Sequence, residues 1–309
     1  MSEIKAQTFK IHDAESYNSL TGEFDRFTER LTRPLALRLI AMAEIAPHEN
    51  VLDVGTGTGV VALQAAQMID SGQVTGIDLS EEMLNRAREK AIRLKVENKT
   101  TFSRMDAEAL NFEDHKFDAV VSLFALLHFP DPLKALEEMH RVLRPGGRMA
   151  IGVGSGVPVL SWSAFAQLAK KIPDALLMWQ KKQLVAPHFL NSLVKKQIVE
   201  TDEPDESDLA GHTHHYRTQA IVSLVKKAGF KIAKTDWQGH KEIIDSPEEF
   251  WEIQRTFSSI ARKRLSKAGA EEVESLRGNF LEQCREVRKR GGQLVYPFGA
   301  FYVVANKRE

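Results

Sequence analysis

The chain's pattern predicts an α/β fold: a doubly wound, mostly parallel seven-stranded sheet of Rossmann-like topology, carrying helical lid insertions. Three observations lead there. Short β-branched apolar runs alternate with amphipathic helical stretches from about Val51 to Gly152. The first run empties into a loop of alternating glycines that passes directly into a helix. The second, about twenty residues on, ends in an acidic residue, Asp78. Nearly continuous apolar runs suit parallel strands buried on both faces, and their alternation with helices implies right-handed βαβ units.

In chain order, residues 14–46 read as helical, with RPLALRLIAMAEI as the most periodic piece, packed on or capping the sheet edge. The strands are VLDVG at 51–55, QVTGID at 73–78, TTFSRMD at 100–106, FDAVVSLF at 117–124 and GRMAIGVG at 147–154. Between them, Val60–Ile69, Glu81–Leu94 and Pro132–Leu143 place apolar residues at helical spacing. Past residue 154 the alternation breaks. Residues 158–198 read as two or three helices rich in large apolar side chains, and ETDEPDESD at 200–208 as a solvated loop. The alternation then resumes with YRTQAIVSLVKKAGF, a helix ending at Gly229, and FKIAKTDW, a strand. Residues 247–290 are helical, opening at Ser246-Pro247 with Glu248 and Glu249 in the first turn. GGQLVYPFGAFYVVANK closes the chain as a strand interrupted at Pro297-Phe298-Gly299.

Composition narrows the function. The 42 Lys and Arg balance 42 Asp and Glu, so no excess of positive charge argues for nucleic acid. One cysteine, Cys284, excludes an intrachain disulfide and fits a reducing compartment. No apolar stretch approaches the roughly 18 residues of a membrane span, and the first twenty residues lack a signal-peptide pattern. The expectation is a cytoplasmic protein without a membrane partner.

The segment Val51-Leu-Asp-Val-Gly55-Thr-Gly57-Thr-Gly59 is the most informative. Glycine lets backbone turn sharply and approach a ligand, and a helix N-terminus adds N–H donors and partial positive charge. An acidic residue ending the second strand can accept from both hydroxyls of a ribose. A dinucleotide site and an S-adenosylmethionine site both fit these elements. Spacing separates them: the dinucleotide fingerprint is G-x-G-x-x-G, whereas here the order is G-x-G-x-G and Val60 stands where the third glycine belongs.

Together, VLDVGTGTG (51–59), TGIDLSEEML (75–84), RMDAEAL (104–110) and FDAVVSLFALLHFPDPLKALEEMHRVLRPGG (117–147) resemble the class I S-adenosylmethionine-dependent methyltransferases, in the ubiquinone/menaquinone-methyltransferase-like branch that acts on small molecules. The resemblance covers roughly residues 35–155, and its Leu-Arg-Pro-Gly-Gly would end a helix and start a turn. It implies that Gly55, Thr56, Gly57 and Gly59 line the methionine part and ribose of the cofactor, with Asp53 organising the loop and meeting the amino group. Asp78 would take the ribose hydroxyls. Leu79 and Met83 would flank adenine, although Met83 also reads as plain helix core. Asp106 would accept from the adenine amino group with Ala107 beside it, and it also reads as a helix N-cap. Ser122 and Leu123 would sit near the sulfonium, and Tyr17 would close over the cofactor carboxylate. The implied domains are an N-terminal helical cap (1–34), a cofactor-binding core (35–157), a helical lid insertion (158–212) and the remainder of the core sheet (213–309), with a second helical insertion at about 247–290.

Methyl transfer from a sulfonium needs alignment in a dry site more than any particular side chain. A base is required only where the acceptor must lose a proton. His128, just past the fourth strand, is the candidate base, against a structural role packing the Pro130–Pro132 turn. His212, His214, His215 and Tyr216 form a polar cluster whose spacing argues against a metal site; it reads as a polar loop beside the acidic stretch or as part of the substrate pocket. Trp162, Phe165, Trp179, Phe189, Phe250, Trp251 and Phe257 either line an apolar acceptor pocket, bury the insertions, or form a homodimer interface. The function expected is methyl transfer from S-adenosylmethionine, with no metal, to O, C or N of a small, partly apolar or aromatic acceptor. A nicotinamide-dependent oxidoreductase and a non-catalytic S-adenosylmethionine-binding module are the rivals.

Overall fold

The computed structural model describes residues 3–154, 184–185, 188–198 and 218–308. The chain divides into two compact units. One comprises residues 1–156, 209–238 and 299–309, and the other residues 157–208 and 239–298.

The first unit holds most of the sheet. Strand β1 (Asn50–Val54) lies between β2 (Gln73–Asp78) and β4 (Phe117–Leu123), parallel to both, with Leu52 opposite Thr75 on one side and Val120 on the other. Strand β3 (Thr100–Arg104) extends the sheet beyond β2, and β5 (Leu143–Gly154) extends it beyond β4. Strand β8 (Leu294–Asn306) runs antiparallel to β5, giving the order β3-β2-β1-β4-β5-β8. Strand β7 (Lys231–Ile244) also pairs with β8, and β6, the pair Leu184–Val185, adds a short parallel rung at Leu294–Val295. Strand β6 and parts of β7 and β8 fall in the second unit. The sheet is thus α/β and mostly parallel. The chain winds outward one way through β1-β2-β3 and the other way through β4-β5. Ligand crevices form outside the carboxyl ends of strands at such a reversal, here between β1 and β4.

Apolar patterning explains the layers. Every residue of β4 is buried, and Val54, Ile77, Val120, Met149 and Val303 pack against Leu136 and Met139 of α6 (Pro132–Val142) and Ile221 and Val225 of α8 (Thr218–Lys227). Local chemistry sets the helix starts. Ser80 caps α5 (Glu81–Leu94) by accepting from the Met83 amide at 3.3 Å. Asp131 caps α6 through the Lys134 amide at 3.0 Å, ahead of Pro132. Before β1 come α1 (Glu3–Asn18), α2 (Thr21–Phe27), a π-helical turn (Thr28–Thr32) and α3 (Arg33–Ala43), all within the first unit.

In the second unit, α7 (His188–Gln197), α9 (Pro247–Phe257), α10 (Ser259–Leu265) and α11 (Ala270–Lys289) make a helical core. Phe250 and Trp251 are internal and meet Phe280 at ring-centroid distances of 5.8 and 5.3 Å. Phe189 meets Phe280 at 5.0 Å, and Phe257 packs on Tyr296 and Phe298. These aromatics therefore pack within their own unit. Trp162, Phe165, Trp179, the acidic stretch 200–208 and the cluster His212, His214, His215 and Tyr216 lie outside the described residues.

The structure corrects three element boundaries. The helix expected over Val60–Ile69 contracts to α4 (Ala62–Ala66), with turns on either side. The Leu-Arg-Pro-Gly-Gly segment is part of β5. Leu143 pairs with Phe117 and the next pair joins Arg148 to Ala119, so residues 144–147 bulge out of the ladder at a proline that cannot donate. Strand β8 is also continuous through Pro297-Phe298-Gly299. Its partners on the other strands change there: β5 matches Ala300–Asn306 and β6 matches Leu294–Val295.

Candidate active site

At the carboxyl end of β1 the chain turns through its glycine loop, which Asp53 organises from below. Asp53 is 1% exposed, and its Oδ2 accepts from the Thr56 hydroxyl at 2.7 Å and the Ala62 amide at 3.0 Å. The amides of Gly55 and Thr56 both donate to the Ile77 carbonyl at 2.9 Å, fastening the loop to β2. Gly55 sits at φ +72°, and a Cβ there would fall 2.3 Å from the Ala125 Cβ, so only glycine lets the loop after β4 rest on it. The Gly57 amide donates to Asp78 at 2.9 Å and the Gly59 amide to the Thr56 carbonyl at 2.9 Å. The free loop amides expected as ligand donors are thus engaged within the protein at these four positions.

Two polar atoms in this loop are buried without a partner, Asp53 Oδ1 and Thr58 Oγ1. Burial pushes the Asp53 carboxyl up to about 7; the bonds from Thr56 and Ala62 offset part of this, and the charge of Asp78 adds to it. A buried carboxylate with an unmatched oxygen is costly and is suited to receive a cationic or hydrogen-bonding group.

Asp78 closes β2 at the crevice mouth, partly exposed. Its Oδ2 accepts from Gly57 and its Oδ1 from the Ser80 amide at 3.0 Å, so each oxygen keeps a second lone pair. Burial raises its pKa above the usual carboxylate range; the two amides and nearby His128 act the other way. Leu79 beside it is partly exposed, whereas Met83 is 2% exposed inside α5. The Met105 amide donates to the Asp78 carbonyl at 3.0 Å, which brings the Asp106 loop alongside. Asp106 caps its own turn through the Glu108 amide at 2.9 Å, and Ala107 is buried. Ser122 is fully buried and donates to the Val54 carbonyl at 2.8 Å, tying β4 to β1; Leu123 beside it is also buried. The structure thus gathers Asp53, Gly55, Thr56, Gly57, Gly59, Asp78, Leu79, Asp106 and Ala107 around one crevice end. Met83 and the Ser122 hydroxyl are turned to the interior.

His128 ends a 3-10 turn, Leu126–His128, and is met by the N-terminal helix. Its Nδ1 lies 2.6 Å from Asp13 Oδ2, and its Nε2 lies 3.5 Å from the Tyr17 hydroxyl. One helical turn before Asp13, Lys10 Nζ reaches Asp106 Oδ2 and Glu108 Oε2, each at 2.7 Å. Burial works against the Lys10 charge, yet its bonds to the two carboxylates raise its pKa overall. Asn18 accepts from the Ser80 hydroxyl at 3.0 Å. Of these α1 residues, sequence reasoning named only Tyr17. Lys10, Asp13 and Glu108 were missed, although positions 10, 13 and 17 share one helical face.

A mostly parallel sheet reversing between β1 and β4, with a glycine elbow after β1 and a carboxylate ending β2, defines an α/β protein of the nucleoside-cofactor-binding class. A family described as methyltransferase domain matches residues 51–147. Demethylmenaquinone methyltransferase from Porphyromonas gingivalis is 40% identical over 143 residues, covering 44% of this chain and 57% of that protein. Aklanonic acid methyltransferase DauC from Streptomyces sp. (strain C5) is 30% identical over 192 residues, covering 59% of this chain and 85% of that protein. The solved structure of YcgJ from Bacillus subtilis shares the fold, with TM-score 0.53 and 21% identity across 89% of this chain and 98% of that one. The chain belongs to the S-adenosylmethionine-dependent methyltransferase family. It spans about half the length of several curated relatives that it matches, 57%, 45% and 42%. No helix of the described residues is long and apolar enough to cross a membrane, and none of them form a group of three or more His, Cys, Asp or Glu placed to hold a metal ion.

Proposed function

We propose that this chain transfers the methyl group of S-adenosylmethionine to O, C or N of a small, partly apolar or aromatic acceptor. The observation that carries this reading is the pairing of two carboxylates at the β1–β2 exit. Asp53 holds a buried, unmatched oxygen, and Asp78 keeps lone pairs at the crevice mouth. A ligand with an ammonium group and a ribose diol satisfies both. Relatives named for demethylmenaquinone and aklanonic acid support a small-molecule acceptor.

When bound, the cofactor supplies an electrophilic methyl on sulfur. The chain's own residues do the rest. Asp53 holds the ammonium end, while Gly55, Thr56, Gly57 and Gly59 form the close-fitting wall. Asp78 accepts from the ribose hydroxyls. Leu79 and Ala107 flank the adenine, Met83 backs them from the helix interior, and Asp106 accepts from the adenine amino group. Leu123 closes the floor near the reacting sulfur, with Ser122 holding β4 against β1 behind it. Tyr17 and the rest of α1 exclude water. His128, through Nε2, removes a proton from acceptors that carry one. The single, buried Cys284, whose thiol burial pushes up to about 12, suits a reducing cytoplasm.

Calorimetry with S-adenosylhomocysteine tests the reading. Wild type should bind, and Asp78→Ala should weaken binding by about 1–3 kcal/mol, the scale of a lost charged acceptor. Binding of NADH without S-adenosylhomocysteine would overturn the proposal in favour of an oxidoreductase. Binding of S-adenosylhomocysteine with no methylated product across a broad acceptor panel would reduce the chain to a cofactor-binding module.

A further inference from the structure

We infer that Asp13, brought in by the N-terminal helix, is a positioning residue for His128: it fixes the hydrogen of the neutral imidazole on Nδ1, so that Nε2 presents its lone pair to the acceptor. The inference rests on the proposed role of His128 as the acceptor-side base, and it adds a second helix to that base.

The geometry is specific. At 2.6 Å, the contact between His128 Nδ1 and Asp13 Oδ2 has the length of a charge-assisted hydrogen bond. An ionised carboxylate only accepts, so the proton in that bond belongs to Nδ1 and a neutral ring then keeps its lone pair on Nε2. The Asp13 side chain is 6% exposed and that of His128 28%, so the orienting carboxylate lies inside while the ring is partly open to solvent. Nε2 faces the Tyr17 hydroxyl at 3.5 Å, too long for a strong hydrogen bond and readily exchanged for an acceptor's O–H or N–H. Asp78 is a further charged group that acts on this ring.

Asp13 comes to the site on a helix whose crevice-facing contacts include ion pairs. The face carrying positions 10, 13 and 17 offers Lys10, Asp13 and Tyr17 where a core helix would offer apolar residues. Lys10, locked to Asp106 and Glu108, sets the register of α1 and thereby the height at which Asp13 meets the ring. In the reaction, the acceptor's proton passes to Nε2 and its electron pair forms the bond to the methyl carbon. The carbon–sulfur pair stays on sulfur. Asp13 remains ionised beside the resulting imidazolium and stabilises it.

The experiment is long-range proton–nitrogen NMR on the full chain with labelled histidine at alkaline pH, with the His128 signals assigned by their loss in His128→Gln. Wild type should show the Nδ1–H form. Asp13→Asn, whose amide oxygen still accepts, should keep it. Asp13→Ala should lower the Nδ1–H to Nε2–H ratio by about tenfold or more, the scale of a charge-assisted hydrogen bond. S-adenosylhomocysteine affinity should stay within about threefold in both variants, because Asp13 acts through the ring alone. A wild-type ring protonated on Nε2, or an Asp13→Ala ring unchanged from wild type, overturns the inference. So does an Asp13→Ala chain that loses cofactor affinity while its His128 tautomer stays put, since that marks a purely structural residue. If wild type fails to bind S-adenosylhomocysteine, the methyltransferase reading falls, while the tautomer of His128 still decides the role of Asp13.

Discussion

The β1–β2 elbow and the N-terminal helix lie against the same crevice and are held there by different forces. The elbow is fastened by a strand ladder, by backbone bonds from Gly55 and Thr56 to Ile77, and by the fully buried Leu52, Val54 and Ile77. Helix α1 reaches the crevice through side chains that bridge long stretches of chain: Lys10 to Asp106, Asp13 to His128 and Tyr17 to His128. Apolar burial is distributed and tolerates the loss of one contact, whereas a polar latch concentrates its stability in a few buried charges. The elbow is therefore expected to behave as scaffold, and α1 to loosen before it.

Three substitutions sharpen that contrast, and the largest effect belongs to the elbow. Gly55→Ala places a methyl against Ala125 at a left-handed φ. It should cost about 2–4 kcal/mol in urea unfolding, combining overpacking with backbone strain, and abolish S-adenosylhomocysteine binding. A neutral outcome would mean that the β4 loop does not rest on the elbow.

Asp53→Asn comes next. The Asp53 carboxyl is raised to about 7 in the folded chain from 3.8, so the folded state binds its proton more tightly than the unfolded one. The contribution of Asp53 to stability should then fall as pH rises from about 4 to about 7, by roughly 2–4 kcal/mol at most. The variant should lack that slope and still bind S-adenosylhomocysteine more weakly, having lost the charge that meets the ammonium. Parallel stability curves for the two proteins would place Asp53 outside this account.

Lys10→Met gives the smallest stability change, about 1–2 kcal/mol, because one of its two partners is partly exposed. Its signature is local. Amide exchange should accelerate across residues 3–18 and leave β1 and β2 protected. Because the Lys10 pKa is raised, the latch should hold through neutral pH and loosen only in strong alkali. Uniform acceleration over both regions would erase the distinction between scaffold and latch.

The same contrast explains what was legible in the sequence. QVTGID at 73–78 is strand β2 residue for residue, and VLDVG at 51–55 is displaced by one from β1, because apolar run length and glycine placement are local signals. Asp78 and the glycines followed from the same pattern. Leu-Arg-Pro-Gly-Gly has turn chemistry, but a bulge accommodates it within β5, since pairing on either side holds the strand direction. Asp13 and Glu108 were out of reach for a different reason: an aspartate on a polar helix looks solvated until the ring it faces, 115 positions away, is known. Ser122 and Met83 show the converse, since strand-end and helix-start positions do not reveal which way a side chain turns. For Ser122 the Val54 carbonyl decides it, and for Met83 the α5 interior.

A crystal structure with S-adenosylhomocysteine is the most direct test of the whole account. It should show the ribose hydroxyls within hydrogen-bonding distance of Asp78 and the ammonium beside Asp53. A ligand seated elsewhere, or a ribose that leaves Asp78 bonded only to Gly57 and Ser80, would contradict it.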